Sequence, residues 1–211
     1  MGFVGSAGHG GVRVELSEAG ATARVQLLHG WRAAAAERLG PAVLQAFAAA
    51  VSARLQAQAA GPPPAFDFTA AAALRALGSG HDTAVLLADA AQDLREFVRQ
   101  LAALHDAPRT AAGAGGRVTA TVRSGQVVAL AVDPAWRHRV DDATLAHGLG
   151  EALSAGLRLL ADTPRHAMAG CPALTAVLRL TGSDGCTAAR PAQRGVEPVA
   201  AGRPGPVGAV R

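Results

Sequence analysis

Residues 117–123 alternate, with Val118, Ala120 and Val122 set against Arg117, Thr119, Thr121 and Arg123. A period of two gives a strand one dry face and one wet face. Ser124-Gly125 supplies the positive φ that a tight hairpin needs. Val128, Leu130 and Val132 carry the dry face onward until Asp133-Pro134 ends it, because proline cannot donate to the ladder. Asp141-Asp142 then mark a helix start, where carboxylates are favoured, and Leu145, Leu149, Leu153, Leu157 and Leu160 follow at spacings of four and three. The expected unit is a hairpin covered by one amphipathic helix.

The same plan recurs about 105 residues earlier. That shift lays Trp31-Arg32 on Trp136-Arg137, which are the two Trp of the chain. With one residue of slack on either side, Val12, Val14 and Leu16 fall on Val118, Ala120 and Val122, and Leu39, Val43, Phe47 and Val51 fall on Leu145, Leu149, Leu153 and Leu157. An ancestral duplication and two unrelated hairpin-plus-helix units both fit this pattern. Pro41 is tolerated in the first turn of the earlier helix, and Gly61-Pro62-Pro63-Pro64 stops it.

A central helix opens near His81-Asp82-Thr83. In it Leu87, Leu94 and Leu101 lie seven apart, as do Ala90, Phe97 and Leu104. About three heptads of this kind form a candidate dimerisation seam, the alternative being a helix packed on its own hairpin. The expected organisation is a partial ββα unit over 1–60, a Pro/Ala-rich linker over 61–82, a fuller unit over 83–162, and a mostly disordered, Arg-bearing tail over 163–211. The fold class is α+β, with two hairpin-plus-helix units, a central amphipathic helix and a disordered C-terminal tail. The two units pair either within the chain or between chains.

Composition narrows the chemistry. Hydrophobic residues make up 50% of the 211, about a quarter of the chain is alanine, and lysine is absent, so all 20 basic residues are arginine, as in a GC-rich genome. The net charge is +4, yet residues 1–162 hold 14 Arg against 14 Asp plus Glu, and the tail holds 6 Arg against Asp184 and Glu197. The positive excess therefore belongs to the tail, where Arg190, Arg194, Arg203 and Arg211 can make loose electrostatic contact. Without lysine no P-loop can form, no G-x-G-x-x-G follows a strand, and no H-E-x-x-H or G-x-S-x-G occurs. Seven scattered His offer no metal spacing. No catalytic residue, metal or cofactor is expected, and Asp141-Asp142 are read as helix-start residues. Cys171 and Cys186 are expected as free thiols. The first ten residues lack the pattern of a signal peptide, and the longest apolar stretch, Leu39 to Ala53, is too short to span a membrane, so a cytoplasmic protein is expected.

Trp31 and Trp136 are expected as hydrophobic anchors rather than base-stacking platforms. Arg117, Thr119, Thr121 and Arg123 on the wet strand face, with Arg109 before them and Arg137 and Arg139 beyond, are the candidate DNA-contacting residues. Guanidinium and hydroxyl donors suit phosphates, which bind without sequence readout. A merely solvated strand face is the competing reading.

Residues 83–162 resemble the YbaB/EbfC family. The likeness is carried by the amphipathic helix, the Gly-rich stretch Ala111-Ala112-Gly113-Ala114-Gly115-Gly116, the hairpin 117–132, Asp133-Pro134 and the acidic-start helix. Residues 11–57 resemble a second, partial copy without the leading helix, with His29-Gly30 in place of Asp133-Pro134. The resemblance implies a small bacterial nucleoid-associated protein of α/β dimeric build, binding DNA largely without sequence preference and without catalysis, with a further strand from Arg109 to Gly115 before the hairpin. It also implies an alternative, since relatives in GC-rich actinobacteria accompany type VII secretion components: a protein-interaction scaffold or chaperone-like partner. The partners implied are nonspecific DNA, a second copy or the chain's own other half, and a protein.

Overall fold

The computed structural model describes residues 2–35, 37–60 and 81–180. Of the linker expected over 61–82, residues 61–80 lie outside the described residues, as does the tail beyond 180, while His81 and Asp82 open a helix.

Three strands open the chain: β1 (Phe3–Ala7), β2 (Val12–Leu16) and β3 (Ala23–Leu27), paired antiparallel in the order β1-β2-β3. A short helix α1 (Trp31–Ala35) leads into α2 (Leu39–Ala59). Helix α3 (His81–Asp106) then precedes a second antiparallel sheet, β4 (Arg109–Gly113), β5 (Val118–Arg123) and β6 (Gln126–Val132), in the order β4-β5-β6. Helices α4 (Pro134–Arg137), α5 (Asp142–Met168) and α6 (Pro172–Leu180) complete an α+β fold.

The two halves match bond for bond at their loops. In the first, Gly8, His9 and Gly10 all take positive φ, and the Gly11 N–H reaches the Gly8 carbonyl at 3.0 Å. In the second, Ala114, Gly115 and Gly116 do the same, and the Arg117 N–H reaches the Ala114 carbonyl at 3.2 Å. Leu28 N–H donates to Gly11 O as Asp133 N–H donates to Arg117 O. The ladder thus sets Leu28, rather than His29, at the place of Asp133. Burial repeats as well: Leu39, Ala42, Val43, Ala46, Phe47 and Ala50 are buried in α2, and Leu145, Gly148, Leu149, Ala152, Leu153 and Gly156 in α5.

The first unit is βββα rather than the expected ββα. Strand β1 is hard to read because of Gly5: a Cβ there would land on the Ala46 carbonyl oxygen and the Ala50 amide of α2. A strand pressed against helix backbone has no room for the side chains that mark strands in a sequence.

One hydrophobic core spans both halves, running from Ala7, Val12, Val14 and Val43 to Val118, Leu145, Leu149 and Leu153. Each half sends its helix to the other's edge strand. Gly40 of α2 lies under the Leu130 carbonyl of β6, and a Cβ on Gly150 of α5 would stand 3.0 Å from the Ala23 carbonyl of β3. Ser154 of α5 closes that edge, accepting from Ala23 N–H at 2.9 Å and donating back to Ala23 O at 3.3 Å. The halves therefore pair within one chain.

The chain is ordered further than the expected boundary at 163. Helix α5 runs through Pro164, on a turn where Thr163 Oγ1 donates to Leu159 O at 2.7 Å, and α6 packs on α3. The Asp93 carboxylate caps α6, accepting from Ala173 N–H at 2.7 Å and Leu174 N–H at 3.1 Å. Cys171, a free thiol, is buried beside it, and that burial pushes its pKa up. Cys186 lies outside the described residues.

Candidate functional site

The arginine constellation divides when its strands are placed. Arg109 pairs with Val122 across β4 and β5, which puts it in a row on the core side. Its Nη2 donates to Leu159 O at 3.3 Å and to Thr163 Oγ1, so this guanidinium fastens β4 to α5. Arg109 is thereby removed from any external face. Arg117 lies ahead of β5, and its Nη1 sits 2.7 Å from Asp133 Oδ2. That carboxyl is held below its usual range by the Trp136 N–H bond first and by Arg117 second. Arg117 is thus matched by a carboxylate, with its side chain 59% exposed. Arg109 is the member of the expected DNA-contacting set that turns inward instead.

The rest of that set faces outward. Register places Thr110, Thr121 and Ala129 in one row and Ala112, Thr119 and Ala131 in the next, with Arg123 opposite Gln126 beyond them. This outer face of the second sheet is small, neutral and hydroxyl-bearing, with one guanidinium at its end. Arg123 and Arg139 have no carboxylate partner among the described residues, whereas Arg137 is engaged, with Nη2 3.5 Å from His138 Nε2. Elsewhere arginines are again interleaved with acids: Arg32 with Asp142, Arg99 with Glu96 and Arg165 with Asp162.

Asp141 and Asp142 have separate duties. Asp141 caps α5, accepting from Thr144 N–H at 2.6 Å. Asp142 reaches back to the first half, accepting from Trp31 Nε1 at 2.9 Å and Arg32 Nη2 at 2.6 Å. Trp31 is 2% exposed, an anchor rather than a stacking platform. Trp136 is half-buried and rests on Gly148, where a Cβ would meet its ring at 3.1 Å.

The seam on α3 is split. Ala90 is buried and Phe97, Leu101 and Leu104 are half-buried on the side turned to α5 and α6, but Leu87 and Leu94 are 39% and 50% exposed. Val98, 57% exposed, and Ala91 extend the open part into a stripe that the heptad reading had only partly marked. An open groove of about 890 Å³ with a mixed polar and apolar lining lies between β3 and α5, with Arg24, Gln26, His147, Ser154 and Arg158 among its walls. No group of His, Cys, Asp and Glu able to hold a metal occurs among the described residues, and no described helix is long and apolar enough to cross a membrane.

No family model, curated protein or solved structure matches the chain.

The candidate site is accordingly defined by geometry alone. It consists of the apolar stripe of α3 and, apart from it, the neutral outer face of the second sheet with Arg123 and Arg139.

Proposed function

We propose that the chain is a non-catalytic protein-interaction scaffold whose contact surface is the open face of α3. The observation that carries this reading is the exposure of Leu87, Leu94 and Val98 on one side of a 26-residue helix. Large apolar side chains gathered on one open stripe mark an interaction surface more often than a solvated one. The charge pattern supports the same reading, because Arg109 is tied to α5, Arg117 is paired with Asp133, and residues 1–162 carry equal numbers of opposite charges. The YbaB/EbfC resemblance of residues 83–162 fits a chain that supplies from one polypeptide both halves of a dimer.

The test is capture from nuclease-treated lysate with the full chain as bait, compared with a Leu94→Asp bait. Recovery of a defined protein by the first and not by the second supports the scaffold. Recovery that disappears with nuclease treatment overturns it.

Nucleic acid is the second reading, favoured by one observation: the outer rows of the second sheet hold threonine and alanine without a carboxylate, with Arg123 at their end. With so few free guanidinium groups, such binding is weak and has a shallow salt slope.

A further inference from the structure

We propose that the groove between β3 and α5 takes up an extended acidic peptide segment of a partner protein, held by Arg24 and Arg158. The site stands apart from the open face of α3 and does not depend on the reading of that helix.

Strand β3 is the outer strand of the first sheet, and its ladder with β2 turns Arg24 and Gln26 outward while Ala23 and Val25 point into the core. Helix α5 runs beside it, with the Ser154 hydroxyl bonded to Ala23 in both directions. Arg24 is the next residue along the strand, and Arg158 lies one turn further along the helix. Two guanidinium groups therefore flank Ser154. Both are exposed, and neither has a carboxylate partner among the described residues.

The carboxylates nearby are committed to other donors. Asp142 accepts from Trp31 and Arg32, and Glu151 accepts from Ala114 N–H at 2.8 Å and lies 3.2 Å from His147 Nε2. Glu15 stands opposite Arg24 in the ladder but is turned toward β1, where a Cβ on Gly2 would stand 2.8 Å from its Oε1. Arg24 and Arg158 are left as the uncompensated charges of the groove.

The matching half of the chain supplies a comparison. There the positions of Arg24 and Gln26 are held by Ala129 and Ala131 of β6, and those of Ser154 and Arg158 by Ala48 and Ser52 of α2. All four are exposed. The same architecture thus forms a seam without these guanidinium groups, and their presence on one side only points to a ligand rather than to folding.

The lining selects the kind of anion. Leu27, Ala143 and Ala146 set apolar surface beside the polar groups, and the groove follows α5 from Asp142 to Arg158. At 1.5 Å per helical residue that is about 24 Å, the length of about seven residues of extended chain. A peptide can place carboxylates at the two guanidinium groups, where charge-assisted pairs are strong, and apolar side chains along the rest. A nucleic-acid strand carries a charge at every step and would also run past Asp142 and Glu151, which repel it.

The experiment is selection of displayed random seven-residue peptides on the full chain, followed by fluorescence anisotropy of the peptides recovered. The expected result is a set bearing Asp or Glu, whose affinity falls at least tenfold for the double variant Arg24→Ala, Arg158→Ser and is unchanged for Leu94→Asp. Because both arginines are exposed, the double variant should keep the melting transition of the parent chain. Arg24→Lys with Arg158→Lys, which retains the charges, should recover part of the affinity. Failure to enrich acidic peptides, or acidic peptides that bind the double variant as well as the parent, overturns the proposal. So does a labelled DNA duplex whose binding is lost in the double variant while peptide binding is not, since the groove would then be a phosphate site. Loss of peptide binding on Leu94→Asp would move the ligand to α3 and overturn it as well. None of the outcomes at Arg24 and Arg158 bears on the α3 surface, which Leu94→Asp reports separately.

Discussion

The indole N–H of Trp31 donates to the Asp142 carboxylate across 111 residues of sequence, at 2.9 Å. This bond joins the start of α1 in the first half to the first turn of α5 in the second, and Arg32 adds an ion pair to the same carboxylate. Removing the acceptor leaves a buried indole donor without a partner, at a cost of about 1–3 kcal/mol. Asp142→Ala is expected to lower the melting temperature by about 2–4 °C for each kcal/mol lost in a chain of this size. Trp31→Phe and Asp142→Ala should be non-additive in a double-mutant cycle from denaturant unfolding; strict additivity would show that the bond does not join the halves.

Acid should loosen the same junction. The Asp142 carboxyl is held below its ordinary range by the Trp31 N–H first and Arg32 second, Asp141 by Thr144, and Glu96 is lowered to about 2 by Arg99 and Gln100. A carboxyl with a depressed folded-state pKa contributes stability that is fully present above its unfolded value, near 4, and lost as pH falls through the folded value. The urea midpoint is therefore expected to hold level above about pH 5 and to fall steadily below about pH 4. Asp142→Asn should shallow that fall, and an unchanged slope would count against the assignment.

The Asp93 cap makes a local prediction. Asp93→Ala deprives Ala173 and Leu174 of their acceptor, and a lost N-cap costs about 0.5–2 kcal/mol. Amide exchange should quicken over residues 172–180 while β2 and β5 keep their protection. Equal loss of protection everywhere would mean that α6 is not a separable element.

Two glycines separate crowding from backbone strain. Gly5→Ala drives a methyl into the backbone of α2 and should destabilise by about 3 kcal/mol or more, since overpacking against backbone finds no relief. At Gly10 a Cβ meets nothing within 4 Å, but φ is +87°. Gly10→Ala should therefore cost only the left-handed penalty, about 1–2 kcal/mol. Denaturant midpoints of the two variants check the ordering.

Much of this architecture is legible in the residues themselves. Val118, Ala120 and Val122 announce β5 by alternation, and Val12, Val14 and Leu16 announce β2 in the same way. The leucines of α5 and the duplicated Trp fix the plan of both halves. What escapes is whatever depends on a distant partner. Gly5 hides β1 because helix backbone occupies the space of its side chain. Asp93 reveals its purpose only when α6 docks. Arg109 looks like one more external cation until the register of β4 places it in the inward row beside Val122. Leu87, Ala90 and Leu94 share one heptad stripe in the sequence, but only packing shows that Ala90 turns inward while the two leucines stay open.

The central claim, that this chain recognises protein rather than DNA, is tested most directly by titrating a fluorescently labelled duplex with the full chain at about 50 mM and about 200 mM salt. The account expects weak binding at the lower salt that vanishes at the higher, with Arg123→Ala and Arg139→Ala together changing the log–log salt slope by no more than about 2, because they offer only their own charges beside those of the tail. Tight binding that persists at the higher salt, and that Arg123→Ala with Arg139→Ala abolishes, would contradict it.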